Sequence, residues 1–587
     1  MTAKQSTFLL FTLLLSISSV GQPPTNLKQG KVSINKADLD KRIDSLFSSY
    51  TKKTPGIAVT VLENGNMLIR KSFGMASLEF DVPFSHNTIV RLPYAEGREF
   101  IAIAAVMMEN EGLLSLKDKV RQYFPKLPNW SESVTIRHLL NNRSGFVDEW
   151  AVLLLTQGSM ENRFDVSQFL ELLYNQPAPG IEPGKGYMYC NSDYGLLRLI
   201  LEKASGENLA AWMKRKIFEP QGMTSTRLHD NKNEVIAGFA HEYHNEGRGR
   251  YNRWIGDKTS PGGNYYIATS AADIEKWAKL HADPDSYAAK AIQYLKKDAI
   301  LMPGKGKNYV FGSREQSEDG YTLITHHGVN DRPYLSRFPL KGYAVIILGN
   351  TDANYVQFHQ TIMNWLLGVK KQVIKLKQFT PTPTKYTKAQ LQQLTGRYFD
   401  ADTVGFESFT KDRKNGFNLI VHNDSLKWEI NENTLIALVP VAPYVFKDPD
   451  YEAYMEFILP KTKNEPVKIN TYLYPSNKIH YHIRDNSVLW TPSKNELLGF
   501  VGKYYSPHLD FYWTLLLDDE GRLIVKRPTI FDTELIAETK DVFTLMVDKY
   551  PNSPFEVFVH FHRDALGQIT HFTVSDPRLM HHRFDKQ

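Results

Sequence analysis

Thr135-Ile136-Arg137-His138-Leu139-Leu140-Asn141-Asn142-Arg143-Ser144-Gly145 compresses a short apolar helix and its stop into one stretch of a 587-residue chain. The helix is expected from Val134 to Asn141, closing on Arg143-Ser144-Gly145. On its N-terminal side, Phe100 to Glu111 is apolar at helical spacing and ends at Gly112, a residue suited to the left-handed cap of a helix. Pro125-Lys126-Leu127-Pro128 breaks the chain between the two helices. Further upstream, Gly56 to Leu62 and Met67 to Arg70 are β-type runs separated by Glu63-Asn64-Gly65-Asn66. Asn-Gly between two such runs marks a hairpin, because the tight turn needs positive φ at its centre.

Downstream, helices are expected at Asp165 to Tyr174, Asp193 to Ala204, Ala271 to His281 and Tyr355 to Leu367, with another near the start at Leu39 to Tyr50. Tyr343 to Leu348 is a continuous apolar run, the pattern of a strand buried on both faces. Helix and strand are therefore mixed from about residue 36 to 370. The texture then changes: 371–387, with Thr380-Pro381-Thr382-Pro383-Thr384, reads as an extended linker. Beyond it alternation takes over, with Phe555, Val557, Val559 and Phe561 on one strand face and hairpin loops at Asp519-Glu520-Gly521 and Arg563 to Gly567.

The tail also repeats itself. Leu391-x-x-Leu394-Thr395-Gly396-Arg397-Tyr398-Phe399 is echoed by Leu497-x-x-Phe500-Val501-Gly502-Lys503-Tyr504-Tyr505. Two copies about a hundred residues apart imply two small barrel-like all-β modules, 388–490 and 491–587.

Composition narrows the function. The net charge of +6 is weak for this length and there is no Lys/Arg block, so nucleic acid is not an expected partner. Lys4 followed by the apolar run Phe8 to Ile17 and the small residues Ser18-Ser19-Val20-Gly21 reads as a signal peptide over 1–21, followed by a linker over 22–35. The run is shorter than the ~20 residues that span a bilayer, so no transmembrane segment is expected after cleavage, and the expected address is periplasmic or secreted. Cys190 is the only cysteine, which excludes internal disulfides. There is no His-Glu-x-x-His, no paired cysteine and no glycine-rich phosphate loop, so neither a metal nor a cofactor is expected.

In order, the blocks from 36 to 370 resemble the serine β-lactamase and penicillin-binding-protein superfamily, in its class C-like and D-peptidase branch. Phe84 to Thr88 is similar to the approach to the nucleophile, Phe100 to Gly112 to the helix behind it, and Thr135 to Gly145 to a highly recognisable block of the family. Pro183-Gly184 with Tyr189-Cys190-Asn191 matches its Tyr-x-Asn motif, and Ser205-Gly206 to Gly222-Met223 the segment after it. Pro261-Gly262-Gly263, His326-His327-Gly328 and Asn350-Thr351-Asp352 complete the series. The resemblance implies an α/β (α+β) sandwich, an antiparallel sheet with helices on both faces, plus an all-helical region lining a cleft.

Such a fold attacks an acyl carbon with the serine of Ser-x-x-Lys, one helical turn before the lysine that activates it. Aligned backwards from Phe100, the serine position holds Ala95 and the lysine position holds Arg98; a shift of one offers Tyr94 and Gly97. Alanine has no nucleophile, and a guanidinium stays protonated and cannot act as a base. Ser49-Lys52 and Ser408-Lys411 fit the spacing in the wrong context, and Ser85 and Ser144 belong to blocks whose serine does not attack. The family's remaining site positions are Tyr189 and Asn191, with His326 as the histidine of His-x-Gly on an edge strand, His327 as an alternative register, and Gly328. Cys190 reads as a small buried hydrophobe.

The leading expectation is an exported pseudo-hydrolase that keeps a cleft for a small peptide-like or cell-wall-derived ligand but forms no acyl-enzyme. One alternative is an active hydrolase (D-peptidase, esterase or β-lactamase-like) with a displaced nucleophile or an activated water. The other is an interaction protein working through its C-terminal β modules.

Overall fold

A computed structural model describes residues 35–92, 97–157 and 165–229, and most of the chain from 234 onward apart from short stretches, the longest being 254–265, 369–378 and 401–416. The expected signal peptide and the linker up to residue 34 lie outside the described residues, as do Pro261-Gly262-Gly263 and the Ser408-Lys411 pair.

The first domain is built on an eight-stranded antiparallel sheet. Its strands are β1 (Ile57–Glu63), β2 (Asn66–Phe73), β3 (Ile300–Leu301), β4 (Lys307–Val310), β5 (Ser313–Glu318), β6 (Tyr321–His327), β7 (Pro333–Phe338) and β8 (Tyr343–Gly349), in the spatial order β3-β4-β5-β6-β7-β8-β1-β2. The β1–β2 turn is the Asn64-Gly65 pair, at φ +49° and +76°. Its strands β1 and β8 are buried on both faces, and the two-residue period of the strands divides their side chains. From β1 and β8, Ile57, Val59, Val61, Val345 and Ile347 pack with Leu39 and Ile43 of α1 (Lys36–Leu46) and with Ile362 and Leu366 of a C-terminal helix over Tyr355–Leu367. Ala58, Leu62, Ile346 and Leu348 face the opposite core, which holds α2 (Arg98–Asn110) and a helix over Ala271–Ala282.

Helix α2 is apolar all round, with Ile101 to Ala105 at most 1% exposed, and so sits as a buried axis rather than an amphipathic cover. Phe100 stacks against Trp277, ring centroids 4.3 Å apart. Beside α2 lie α3 (Ile136–Leu140), α4 (Glu149–Gln157), α5 (Val166–Tyr174) and α6 (Asn191–Ser205), the all-helical region. Thr135 caps α3 and Asp165 caps α5, each in a capping box. The helix over Ala271–Ala282 is α7, and the one over Tyr355–Leu367 is α8.

The tail forms two sheets. The first has nine strands, of which β9 (Gly396–Asp400), β10 (Ala453–Ile458), β11 (Lys468–Leu473) and β12 (Lys478–Arg484) are used below; the second is a closed eight-stranded barrel that opens with β13 (Gly502–Ser506). The sequence echo is a structural one. A five-residue helix, Lys388–Gln392 or Lys494–Leu498, starts from a capping box, Thr387 with Gln390 or Ser493 with Glu496. Each leads to a glycine at positive φ, Gly396 at +134° and Gly502 at +152°, and then to the module's first strand. In both, a fully buried tyrosine donates its hydroxyl to the backbone carbonyl four residues back, Tyr398 to Leu394 and Tyr504 to Phe500, each at 2.8 Å. The barrel's interior is filled by Tyr504, Trp513, Phe543, Phe561, Phe572 and Phe584. Part of the linker is bound to the first module: Thr382 donates its amide to the Val441 carbonyl, and Phe379 stacks on Tyr454.

The tyrosine bond makes a matched pair of predictions. Tyr398→Phe and Tyr504→Phe each leave a buried carbonyl without its donor and should cost about 1–2 kcal/mol in their own module's denaturant transition. A change below about 0.3 kcal/mol in both would show that the bond does not hold the repeat together.

Candidate active site

Two adjacent residues at the start of α2 point into two different polar clusters. The first is Arg98, only 3% exposed. Its Nη1 donates to Asn142 Oδ1 at 3.0 Å, and its Nη2 donates to Asn191 Oδ1 at 2.8 Å and to the Cys190 carbonyl at 3.2 Å. Its guanidinium carbon lies 4.3 Å from the centroid of the Tyr189 ring and 4.5 Å from that of Tyr194. The structure thus brings Arg98, Tyr189 and Asn191 together, at the start of α2 and at the loop entering α6.

Asn191 is fully committed. Its backbone amide donates to Asp148 Oδ2 at 3.2 Å, and its side-chain amide donates to both Asp148 oxygens at 3.2 and 3.0 Å. Asn142, held at φ +53°, accepts from Arg98 and donates to the Cys190 carbonyl at 2.8 Å and to Asp193 Oδ2 at 3.0 Å. Ser144 donates its hydroxyl to Asp193 and accepts from the Phe146 amide. Ser144 is therefore a structural hydroxyl at the far side of the cluster. Burial pushes Asp193 up to about 7, against Ser144, Asn142 and Arg98. Burial, and then the neighbouring Asp148, hold Glu149 well above the carboxylate range; neither of its oxygens has a hydrogen-bond partner among the described residues. Cys190 is buried with its thiol against the Phe146 carbonyl, and burial raises its pKa well above the ordinary thiol value, as an inert cysteine requires.

The second cluster centres on Glu99, 1% exposed. One carboxylate oxygen meets His281 Nε2 from α7 and the other meets His326 Nδ1 from β6. Arg337 of β7 donates its Nε to His326 Nε2 at 3.1 Å, so the imidazole accepts there and carries its proton on Nδ1, toward Glu99. Burial alone would raise Glu99; the two histidines overrule it and hold it well below the carboxylate range. Burial, then Arg337, push His281 down to about 4 against the pull of Glu99. The cluster at neutral pH is one carboxylate, one guanidinium and two neutral imidazoles.

This arrangement corrects the expectation for His326. It lies on β6, flanked by β5 and β7 rather than at a sheet edge, and its 1% exposed ring is spent on Glu99 and Arg337 instead of holding a ligand. The two-residue alternation of the strand turns it toward α2 and α7, where it meets the Glu99 carboxylate. His327 ends β6; its side chain, with Gly328, Tyr94 and Ala95, lies outside the described residues. The sequence held a signal for Glu99, a charged residue entering an otherwise apolar helix, but none for its partners at 281 and 337. Asp148, Glu149 and Asp193 were missed for the same reason.

A model of the beta-lactamase family matches residues 43–369, more than half of the chain. The chain belongs to the beta-lactamase family. It is 32% identical over 215 residues to Penicillin-binding protein 4* of Bacillus subtilis (strain 168), covering 35% of this chain and 47% of that protein. To Protein flp of Staphylococcus aureus (strain MRSA252) it is 22% identical over 333 residues, covering 54% of this chain and 64% of that one. The chain thus spans between about half and two thirds of these relatives' own length. Among solved structures, the octameric penicillin-binding protein homologue from Pyrococcus abyssi aligns with 77% of this chain and all of its own, at 21% identity and a TM-score of 0.49. The domain is the β-lactamase/transpeptidase-like fold, followed by barrel-like all-β sheets.

The two clusters titrate in opposite senses. His281 has a folded pKa of about 4 against ~6.5 unfolded, so the unfolded chain takes up protons first and stability is lost as pH falls from ~6.5 to 4. Asp193 sits at about 7 against ~3.9 unfolded, so the native state keeps a proton the unfolded chain releases, and stability is gained over much the same fall. Denaturant titrations of variants separate the two. His281→Gln should reduce the acid-side loss and Asp193→Asn should remove the acid-side gain. Slopes identical to the parent in both variants would overturn these protonation states.

Proposed function

We propose that this member of the family is a pseudo-hydrolase: it keeps the cleft, takes a small peptide-like or cell-wall-derived ligand there, and forms no acyl-enzyme. The observation that carries the reading is the wiring of Arg98. Asn142, Asn191 and the Cys190 carbonyl, three acceptors that would serve a lysine ammonium equally, are taken up by its guanidinium. A lysine there can give up its proton; an arginine with pKa above ~12 cannot. The surroundings are satisfied by a permanent cation, so the charge of the family's base is retained while its proton-accepting capacity is gone. With alanine at 95, the nucleophile is gone as well. Loss of a hydrolase's nucleophile costs on the order of 10⁶ in kcat, enough to leave binding as what the cleft does. The N-terminal segment, a positive residue and a ten-residue apolar run closed by small residues, supports an address outside the cytoplasm.

One experiment tests the reading. Fluorescent penicillin, chosen because the Bacillus subtilis relative is by name a penicillin-binding protein, is incubated with the parent and with Ala95→Ser, Arg98→Lys and the double variant. The expected result is covalent labelling of the double variant alone, since serine and a neutralisable amine are needed together. Labelling of the parent, or ester hydrolysis by the parent that Tyr189→Phe abolishes, would replace the pseudo-hydrolase with an active enzyme.

A further inference from the structure

The barrel loop over 507–510, between β13 and β14 (Phe511–Leu517), sets His508 against the first domain. His508 Nε2 lies 2.8 Å from the backbone carbonyl of Leu172 on α5. A carbonyl only accepts, so Nε2 carries the proton and Nδ1 keeps the lone pair. That Nδ1 is sealed from solvent and has no hydrogen-bond partner among the described residues. Facing the ring is His582 of β15 (Leu579–Lys586), with centroids 4.9 Å apart and 36° between the planes. His582 is buried in turn, its Nε2 3.0 Å from the Ser506 hydroxyl. One continuous apolar cluster holds Leu172 and Leu173 of α5 together with the barrel's Tyr504, Phe572 and Phe584, and Leu509 of the loop packs against it.

We propose that His508 and His582 form a proton-operated latch, which seats the barrel on α5 at neutral pH and releases it on acidification. The latch is independent of the cleft, since no residue of the Arg98 cluster takes part in it. With Nε2 donating to Leu172, a second proton on His508 goes to Nδ1, a buried position without an acceptor and beside a second imidazole. A buried cation with no partner is strongly disfavoured, so the proton is taken up when the loop leaves α5 for solvent. The charged groups around the pair have other partners or face away. On the loop, Asp510 accepts the Tyr505 hydroxyl at 2.9 Å. On α5, Glu171 is exposed and accepts from Asn175 at 3.4 Å, while Tyr174 lies two residues beyond Leu172. On β15, His581 and Arg583 are exposed on the strand face opposite His582. Burial lowers the pKa of His508 against the pull of the Leu172 bond, and burial, then His508, push His582 down to about 3.

Both rings are harder to protonate when docked than a solvated imidazole at ~6.5, so the released chain takes up protons first and docking is lost as pH falls below ~6.5. Each ring that is neutral when docked and charged when released raises the released population by up to about tenfold per pH unit. The first module is anchored without such a group. There the linker's Phe379 stacks on Tyr454 of β10 and meets Tyr472, its cross-strand partner on β11, edge-on. Those rings exchange no proton near neutral pH.

Hydrogen exchange of the full chain from about pH 7.5 to about pH 5.5, corrected for the intrinsic pH dependence of amide exchange, tests the latch. In the parent, protection of the α5 and 507–510 peptides should fall about tenfold over the last pH unit, while the α2 peptides hold theirs. His508→Gln, whose amide still donates to Leu172 but has nothing to titrate, should keep that protection nearly level. His582→Gln should make the loss shallower, and His480→Gln, on β12 of the first module, should reproduce the parent. Protection at α5 that is indifferent to pH in the parent would overturn the proposal, as would an equal loss in His508→Gln or one that α2 shares in full. A loss in His582→Gln as steep as the parent's would overturn the paired role even where the His508 variant fails to dock.

Discussion

A guanidinium sealed among protein acceptors is the constraint on which the first domain rests. Burying a charge is costly unless its donors are met, and Arg98 meets two side-chain oxygens and a backbone carbonyl while lying against two tyrosine rings. Those acceptors come from two chain segments: Asn142 after α3, and the consecutive Cys190 and Asn191 where α6 begins. Asn191 and Asn142 then pass the constraint on to Asp148 and Asp193. The cluster is thus a structural knot, and its integrity depends on a group that keeps its proton.

Glu99, the next residue, faces the other way because consecutive helical positions lie about 100° apart. It ties α2 to α7 through His281 and to the sheet through His326 and Arg337. Two neighbouring charges of opposite sign therefore fix the same helix end to the helical region on one side and to the sheet on the other. Such buried networks owe more to uniqueness of arrangement than to net stability, since desolvation offsets much of the attraction.

How much was legible in the sequence followed from the range of the interactions. The Asn64-Gly65 hairpin, the capped helices and the alternation of Val557, Val559 and Phe561 are local and could be read directly. So could the repeat, because its helix, glycine and tyrosine lie within a dozen residues of one another. Arg98 was found at its position by spacing, but its partners at 142 and 191 emerged only with the fold. His326 was read as ligand-facing on an edge strand. Which face of β6 looks toward Glu99 is set by pairing with β5 and β7, and a strand's own sequence does not contain it.

The tail carries the same lesson one step further. Both modules begin with one local motif, yet their outer faces are set by register and have diverged. The barrel's inner positions are occupied by large aromatic side chains, which leaves its outer face as the surface that differs from the first module's. On the first module, the Tyr454–Tyr472 surface is already occupied by Phe379 from the chain's own linker, an apolar patch satisfied internally. On the second, the related outer surface bears imidazoles whose neighbours are hydroxyls and a self-neutralised Arg583–Asp585 pair. Duplication without divergence would have left either two covered faces or two open ones. Here the first module's face is covered by Phe379 and the second's carries the imidazoles.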